Sequence, residues 1–330
     1  MKINSTYTPK LSMPNTLKAI SLINEMMVDE YKKNIEMIKI ELPAFFREDS
    51  DLPLPIDNFT RKIFFDFGDK YDIAVLPLHY ANWRRLMLNK LEAKPGLAIQ
   101  TEGYVIWRDE TISNVNSLVR DELCFTFVLE NINKEEFLKK ATKRFVNIIE
   151  KIAIKLKKIF DIENIIPKYL PTIETQLLEN EMPKLSPEQK EQEILSEYSG
   201  FILNKPGVRT LQGKVQRPKP PQIYDLNKQN TIIINDRVNY LPLHVADISF
   251  YASGITLSDQ MNMFSLKEHM NSSFYKELIE SPQPQIIEIK IHKSQLYMAL
   301  LGKGHIGEVQ ANVESLKVRK NAAKDKINFI

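Results

Sequence analysis

The chain has 330 residues, Lys+Arg 45 against Asp+Glu 42 for a formal net charge of +3, with 43% hydrophobic and 26% charged residues. That balance suits a globular protein whose core needs no staples, and it neither demands nor forbids a nucleic-acid partner, which requires a localised basic face. The single cysteine, Cys124, excludes an internal disulfide framework and a Cys-rich metal site, and no GxxxxGK[ST] or GxGxxG run occurs to cradle a phosphate.

Glycine is scarce, 10 in all. A bias toward Ile, Lys and Asn accounts for that as well as a functional cause would. No run of 18 apolar residues is present, and MKINSTYTPKLSMPN lacks the apolar stretch of a signal peptide. The expectation is a cytoplasmic protein that does not enter a membrane.

In chain order, Pro14 to Tyr31 spaces Leu17, Ile20, Ile23, Met27 and Tyr31 by three and four, which predicts an amphipathic helix. Ile35–Leu42 reads as a strand running into Pro43, Arg47–Asp57 as a loop, and Lys62–Phe67 and Ile73–Leu76 as strands. Asn82–Leu91 reads as a helix. Leu97–Trp107 and Glu122–Glu130 read as strands of a long antiparallel hairpin around the polar segment Arg108–Asn116.

Lys134–Phe160 carries the longest helical signal, with Phe137, Ala141, Phe145, Ile148, Ile149, Ile152, Leu156 and Ile159 on one face and many lysines on the other. That basic face reads as solvated, so no nucleic-acid partner is expected. Glu179–Glu193 and Lys205–Pro221 are expected to be polar loops or insertions around a short strand. Thr231–Ile234 and Ile287–His292 read as strands, and a final helix is expected from near Lys293. Together these predict one α+β domain over 1–330, a mostly antiparallel sheet flanked by helices.

The five histidines are scattered without paired ligand spacing, Cys124 lies in an apolar stretch, and there is no GxSxG elbow. What remains is Trp107-Arg108-Asp109-Glu110, with Arg120-Asp121-Glu122 on the return strand. An arginine at a hairpin tip can hold a phosphate bidentately, and nearby carboxylates can hold magnesium or an amino group. A plain charged surface hairpin has the same composition.

Ser294-Gln295-Leu296, followed by His305-Ile-Gly-Glu-Val-Gln310, resembles the C-terminal signature of ammonia-dependent asparagine synthetase, the type A aspartate–ammonia ligase. Asp57-Asn58-Phe59, Ala81-Asn-Trp-Arg-Arg85, Arg108-Asp-Glu110, Ser117–Phe125 and Tyr224-Asp225 are similar to further segments of that family in the same order, over nearly the whole chain. The resemblance implies a class II aminoacyl-tRNA synthetase-like catalytic core, usually a homodimer. It also implies synthesis of asparagine from aspartate, ammonia and ATP with magnesium, through an aspartyl-adenylate.

By the same resemblance, Arg108 would bind the α-phosphate and act in catalysis with Glu122, while Asp57 and Asp225 would bind aspartate. Glu110 and Gln295 would lie at the nucleotide, and Asp247, with Glu122, would hold magnesium. The sequence departs from the family where Gln295 replaces the motif-3 arginine, Glu288-Ile-Lys-Ile-His292 replaces a glycine-rich strand, and Glu122 and Cys124 replace a Gln and an Asp. Lys290 or Lys293 would then have to supply the missing charge. The alternatives are a non-catalytic paralogue that uses the dimeric scaffold to bind a partner, and a ligase for another amino acid or nucleotide.

Overall fold

The structure, a computed structural model, describes all residues except 1–6, 34, 51, 53–59, 69–71, 164–165, 168, 312–315 and 325–326. The first helix, α1 (Met13–Lys32), takes Pro14 in its first turn, where the fixed φ suits a helix start, and buries Ala19, Ile23, Met27 and Tyr31. Then come β1 (Glu36–Lys39), the short strands β2 (Phe46–Arg47), β3 (Phe64–Phe67) and β4 (Asp72–Val75), and α2 (Ala81–Lys90). The hairpin of β5 (Leu97–Ile106) and β6 (Val119–Leu129) leads into α3 (Lys134–Phe160). β7 (Thr172–Glu174), α4 (Thr175–Glu181), α5 (Pro187–Glu197) and β8 (Gly200–Asn204) precede a second hairpin of β9 (Tyr224–Asn235) and β10 (Pro242–Tyr251). After α6 (Gly254–Met263) and α7 (Ser273–Glu280), β11 (Gln285–His292) runs straight into α8 (Lys293–Leu301), and α9 (Leu316–Lys324) follows.

Eight strands form one sheet in the order β1-β5-β6-β11-β10-β9-β8-β7, and β2-β4-β3 form a small second sheet. Only the outer pairs β1–β5 and β7–β8 of the large sheet are parallel. The expected mostly antiparallel sheet flanked by helices is therefore present.

Strand alternation divides the large sheet into an apolar and a polar face. Leu123, Phe125 and Phe127 of β6, Ile287, Ile289 and Ile291 of β11, and Ala246, Ile248 and Phe250 of β10 join one core with α1, α3 and α8. In α3, Asn133 caps the first turn by accepting from the Glu136 amide at 3.1 Å, and Asp161 closes the helix in the left-handed region. Its Leu138, Phe145, Ile149 and Ile152 are fully buried, each worth about 1.5–3 kcal/mol of transfer free energy. Its lysines at 139, 140, 143, 155, 157 and 158 are exposed, and Ile159, expected to face inward, is half exposed.

The segment expected to be loop over 179–193 is instead largely helical. Ser186 Oγ accepts from the Gln189 amide, Gln189 Oε1 accepts from the Ser186 amide, and Pro187 takes the first turn, so a Ser-Pro-Glu-Gln run starts α5. Between 205 and 221 the chain is irregular, with one bridge of Arg209 to Val215. The expected strand at Thr231–Ile234 is the apolar end of the longer β9, whose polar half pairs with β10 through Asn230 and Gln229 and then shifts register before Tyr224 meets Tyr251. Gln229 there belongs to the polar face, whereas Lys228 and Asn230 turn to α3, pairing with Glu135 and donating to Thr142.

Candidate active site

The pairing register aligns Thr101, Cys124, Lys290, Asp247 and Thr231 in one row across β5, β6, β11, β10 and β9. The neighbouring row places Thr126, Glu288, Ser249 and Gln229 side by side. These rows belong to the face opposite the apolar core, and a cavity of about 450 Å³ lies over part of them, lined among others by Glu122, Asp247, Ser249, Lys290 and His292.

At the inner end, Arg84 of α2 is fully buried and divides its guanidinium between Glu288 (2.8 Å) and Glu122 (3.0 Å). The hydroxyls of Tyr224 and Tyr251 donate to Glu288 at 2.6 and 2.5 Å, and Lys290 lies 3.7 Å from Glu288 and 4.0 Å from Glu122. Burial alone would raise the Glu288 carboxyl. The charges of Arg84 and Lys290 with the two tyrosine hydrogen bonds overcome it and hold the group at about 2. Glu122 is lowered by the same balance, whereas burial raises the Cys124 thiol well above its ordinary range, leaving no thiolate for chemistry.

At the outer end two further charge groups meet. Glu191 of α5 accepts both Nε and Nη2 of Arg217 at 2.8 Å and lies 2.8 Å from His244 Nε2. Burial and the neighbouring Arg217 push His244 down to about 4, against the opposing pull of Glu191. Asp247 lies 2.6 Å from Lys219 Nζ, 3.1 Å from His292 Nε2, and accepts from the Thr231 hydroxyl at 2.6 Å.

The sequence-predicted residues separate. Glu110, Glu122, Asp247, Gln295 and Lys290 all line the cavity. Arg108 does not: its side chain is exposed and donates to the Lys62 carbonyl at 3.3 Å, while Asp109 pairs with Arg61. The arginine that does line the cavity is Arg120, stacked 3.6 Å from the centre of the Trp107 ring and paired with Glu110. Asp225 is also placed elsewhere, bound to Lys134 at the start of α3 (3.4 Å) and to the Asn227 amide (3.2 Å). Lys293 reaches Glu102 at 2.5 Å and is not among the lining residues, and Asp57 lies outside the described residues.

Gln295 is built into the wall. Its Oε1 accepts from the His244 amide and its Nε2 donates to Asn116 Oδ1 at 2.9 Å, tying β10 to the end of the hairpin loop. The His305–Gln310 segment is structural too: His305 Nδ1 accepts from the Gly307 amide, and Glu308 accepts from the amides of Gly304 and His305. Gln310 then holds Asp121, which also accepts from Ser294 and so caps α8 from outside.

Arg217, Lys219 and His244, which line the cavity, were not singled out in the sequence, because only register and loop path bring them together. Arg84, which holds Glu122 and Glu288 without lining the cavity, lies in the Ala81–Arg85 segment, and His292 in the Glu288–His292 strand, both of which the sequence marked.

The aspartate–ammonia ligase family model matches residues 14–326. The chain belongs to that family. It is 26% identical over 312 residues to an aspartate–ammonia ligase of Ruminiclostridium cellulolyticum, covering 94% of this chain and 93% of the relative. The enzyme of Lactobacillus johnsonii is also 26% identical, over 93% of both chains. Among solved structures, asparaginyl-tRNA synthetase of Pyrococcus horikoshii complexed with asparaginyl-adenylate superposes with a TM-score of 0.65 at 10% identity. The Entamoeba histolytica asparaginyl-tRNA synthetase gives 0.64 at 11%. Each structure covers 90% of this chain, which spans about two-thirds of those synthetases (68% and 66%), and the likeness shows the class II synthetase fold.

In this aspartate–ammonia ligase family member, the strand before α8 points Glu288, Lys290 and His292 toward the polar face, and each is held by the ion pairs above. Among the described residues no group of three or more His, Cys, Asp or Glu is placed to hold a metal ion.

Proposed function

We propose that this chain is an ATP-dependent aspartate–ammonia ligase. The side-chain carboxylate oxygen of aspartate attacks the α-phosphorus of ATP and expels pyrophosphate. Ammonia nitrogen then attacks the acyl carbon of the aspartyl-adenylate, releasing AMP and L-asparagine. Family membership across residues 14–326 carries the assignment.

The cavity supports it with cations where anions must be held. Arg120 takes the phosphate-binding role expected of Arg108, since its guanidinium lies over the Trp107 ring at the cavity wall and offers a planar fork for oxygens. Lys290 supplies the charge absent from Gln295, because it lines the cavity and Lys293 does not. Glu122 is held ionised by Arg84, which makes it an anchor for an ammonium group rather than a base. The buried floor keeps water from the reactive anhydride.

Magnesium accompanies the triphosphate as its counter-ion in this chemistry. A homodimer is what the family resemblance implies, and a cytoplasmic place suits this chemistry. No helix among the described residues is long and apolar enough to cross a membrane.

Pyrophosphate release from the purified chain with Mg–ATP and ammonia should depend on aspartate. Background release alone, from folded protein, would overturn the assignment and leave the non-catalytic scaffold; the uncharged Gln295 and the filled row at Glu288, Lys290 and His292 would then be its cause.

A further inference from the structure

We propose that the ammonium group of Lys219 occupies the place at Asp247 that a divalent cation would take, so that this pocket meets phosphate with side-chain cations rather than a protein-held metal.

Both Asp247 oxygens are committed. Oδ1 accepts from the Thr231 hydroxyl at 2.6 Å, and Oδ2 lies 2.6 Å from Lys219 Nζ and 3.1 Å from His292 Nε2. Magnesium needs oxygen ligands at about 2.0–2.1 Å in near-octahedral array. An ammonium nitrogen at hydrogen-bond distance from the same oxygen leaves neither the room nor the negative charge for that. The surroundings add to the exclusion, since Lys290 is the register neighbour of Asp247 and Arg217 also lines the cavity. Among the described residues no group of three or more His, Cys, Asp or Glu is placed to complete a cage.

Lys219 is delivered by a stiff segment. Pro218, Pro220 and Pro221 flank it and fix φ on both sides, so its placement costs little further ordering. Its side chain is 15% exposed and lines the cavity. Lysine has three N–H donors, and Asp247 engages one, which leaves donors for an anionic oxygen. Carbon–oxygen or phosphorus–oxygen anions both fit; the ligase assignment favours the phosphates of the nucleotide, and the second half of the proposal rests on it.

The test uses the metal-free full chain with two probes. By electron paramagnetic resonance, Mn²⁺ should show no binding that Asp247→Asn removes. Lys219→Gln, which removes the charge, should open a Mn²⁺ site at least ~10-fold tighter than any in the parent. In EDTA, inorganic pyrophosphate should bind the parent, lose about 10-fold or more in Lys219→Gln, and stay within about threefold in Lys219→Arg. Circular dichroism confirms folding, and Lys219→Arg serves if Lys219→Gln is unfolded, since retained binding with no metal site in that variant supports the proposal. Asp247-dependent Mn²⁺ binding in the parent would overturn it, as would pyrophosphate binding indifferent to Lys219→Gln or absent without metal. The Mn²⁺ arm stands apart from turnover: its expected result alongside no aspartate-dependent pyrophosphate release would overturn the ligase assignment and leave Lys219 at Asp247.

Discussion

Gln295 and His244 are joined side chain to main chain, the amide oxygen of one accepting the backbone N–H of the other at 2.8 Å. The same side chain donates to Asn116, so one residue fastens the first turn of α8 to β10 and to the hairpin loop. An arginine has no acceptor and cannot take the His244 amide. Gln295→Arg should therefore cost about 1–3 kcal/mol of stability and raise turnover little or not at all. Urea denaturation and the pyrophosphate assay check the two halves, and a gain of tenfold or so in turnover would show the site still shaped for that arginine.

Arg84 supports two carboxylates at once, with no exposed surface of its own. Arg84→Met should leave Glu122 and Glu288 as buried like charges and destabilise the fold by about 3–5 kcal/mol. Adding Glu288→Gln should recover part of that loss, read by the same unfolding curves. Equal stability of the single and double variants would mean that Glu288 is already neutral.

The same cluster sets a pH dependence. Glu288 titrates at about 2 when folded, below its ordinary 4.5, so between those values the unfolded chain binds more protons. Its contribution is complete above the ordinary value and is lost as pH falls through 4.5 toward 2. The stability of Glu288→Gln should thus be flatter than the parent's across that window. Parallel slopes would contradict the charge arrangement.

His244 adds a second window with the same sign. Its folded value is about 4 against an ordinary 6.5, so protonation is favoured in the unfolded chain, and stability should fall as pH drops from 6.5 toward 4. Two-dimensional NMR of the imidazole should show it neutral at pH 6. A midpoint near 6.5 would mean that the ring is open to water.

Much of this was legible in the sequence, and the limits are physical. Helical periodicity found α1 and α3 because their apolar faces meet one core, and the alternation of apolar and polar residues found Ile287–His292 because its isoleucines meet the same core. The capping box at Ser186 was present but masked by the polarity of α5, which packs with few apolar residues. At the site, Glu122 and Asp247 lie at the cavity, whereas Arg108 lies outside it and Asp225 turns to Lys134. Arg108 and Arg120 flank one loop, and composition alone does not say which of them turns inward. Stacking on Trp107 decides it.

Arg120 accordingly carries the sharpest functional prediction. Its side chain is 39% exposed, so truncation should cost little stability, within about 1 kcal/mol, despite the lost pair with Glu110. If it holds a developing phosphate charge, Arg120→Ala should lower kcat about 10²–10³-fold, whereas Arg108→Ala should change kcat less than about threefold. Arg120→Lys keeps the charge but loses the planar fork, and should recover only part of the rate. Steady-state kinetics on the three variants, with melting temperatures alongside, distinguish the two arginines: a large effect at position 108 with none at 120 would return the phosphate role to the hairpin tip.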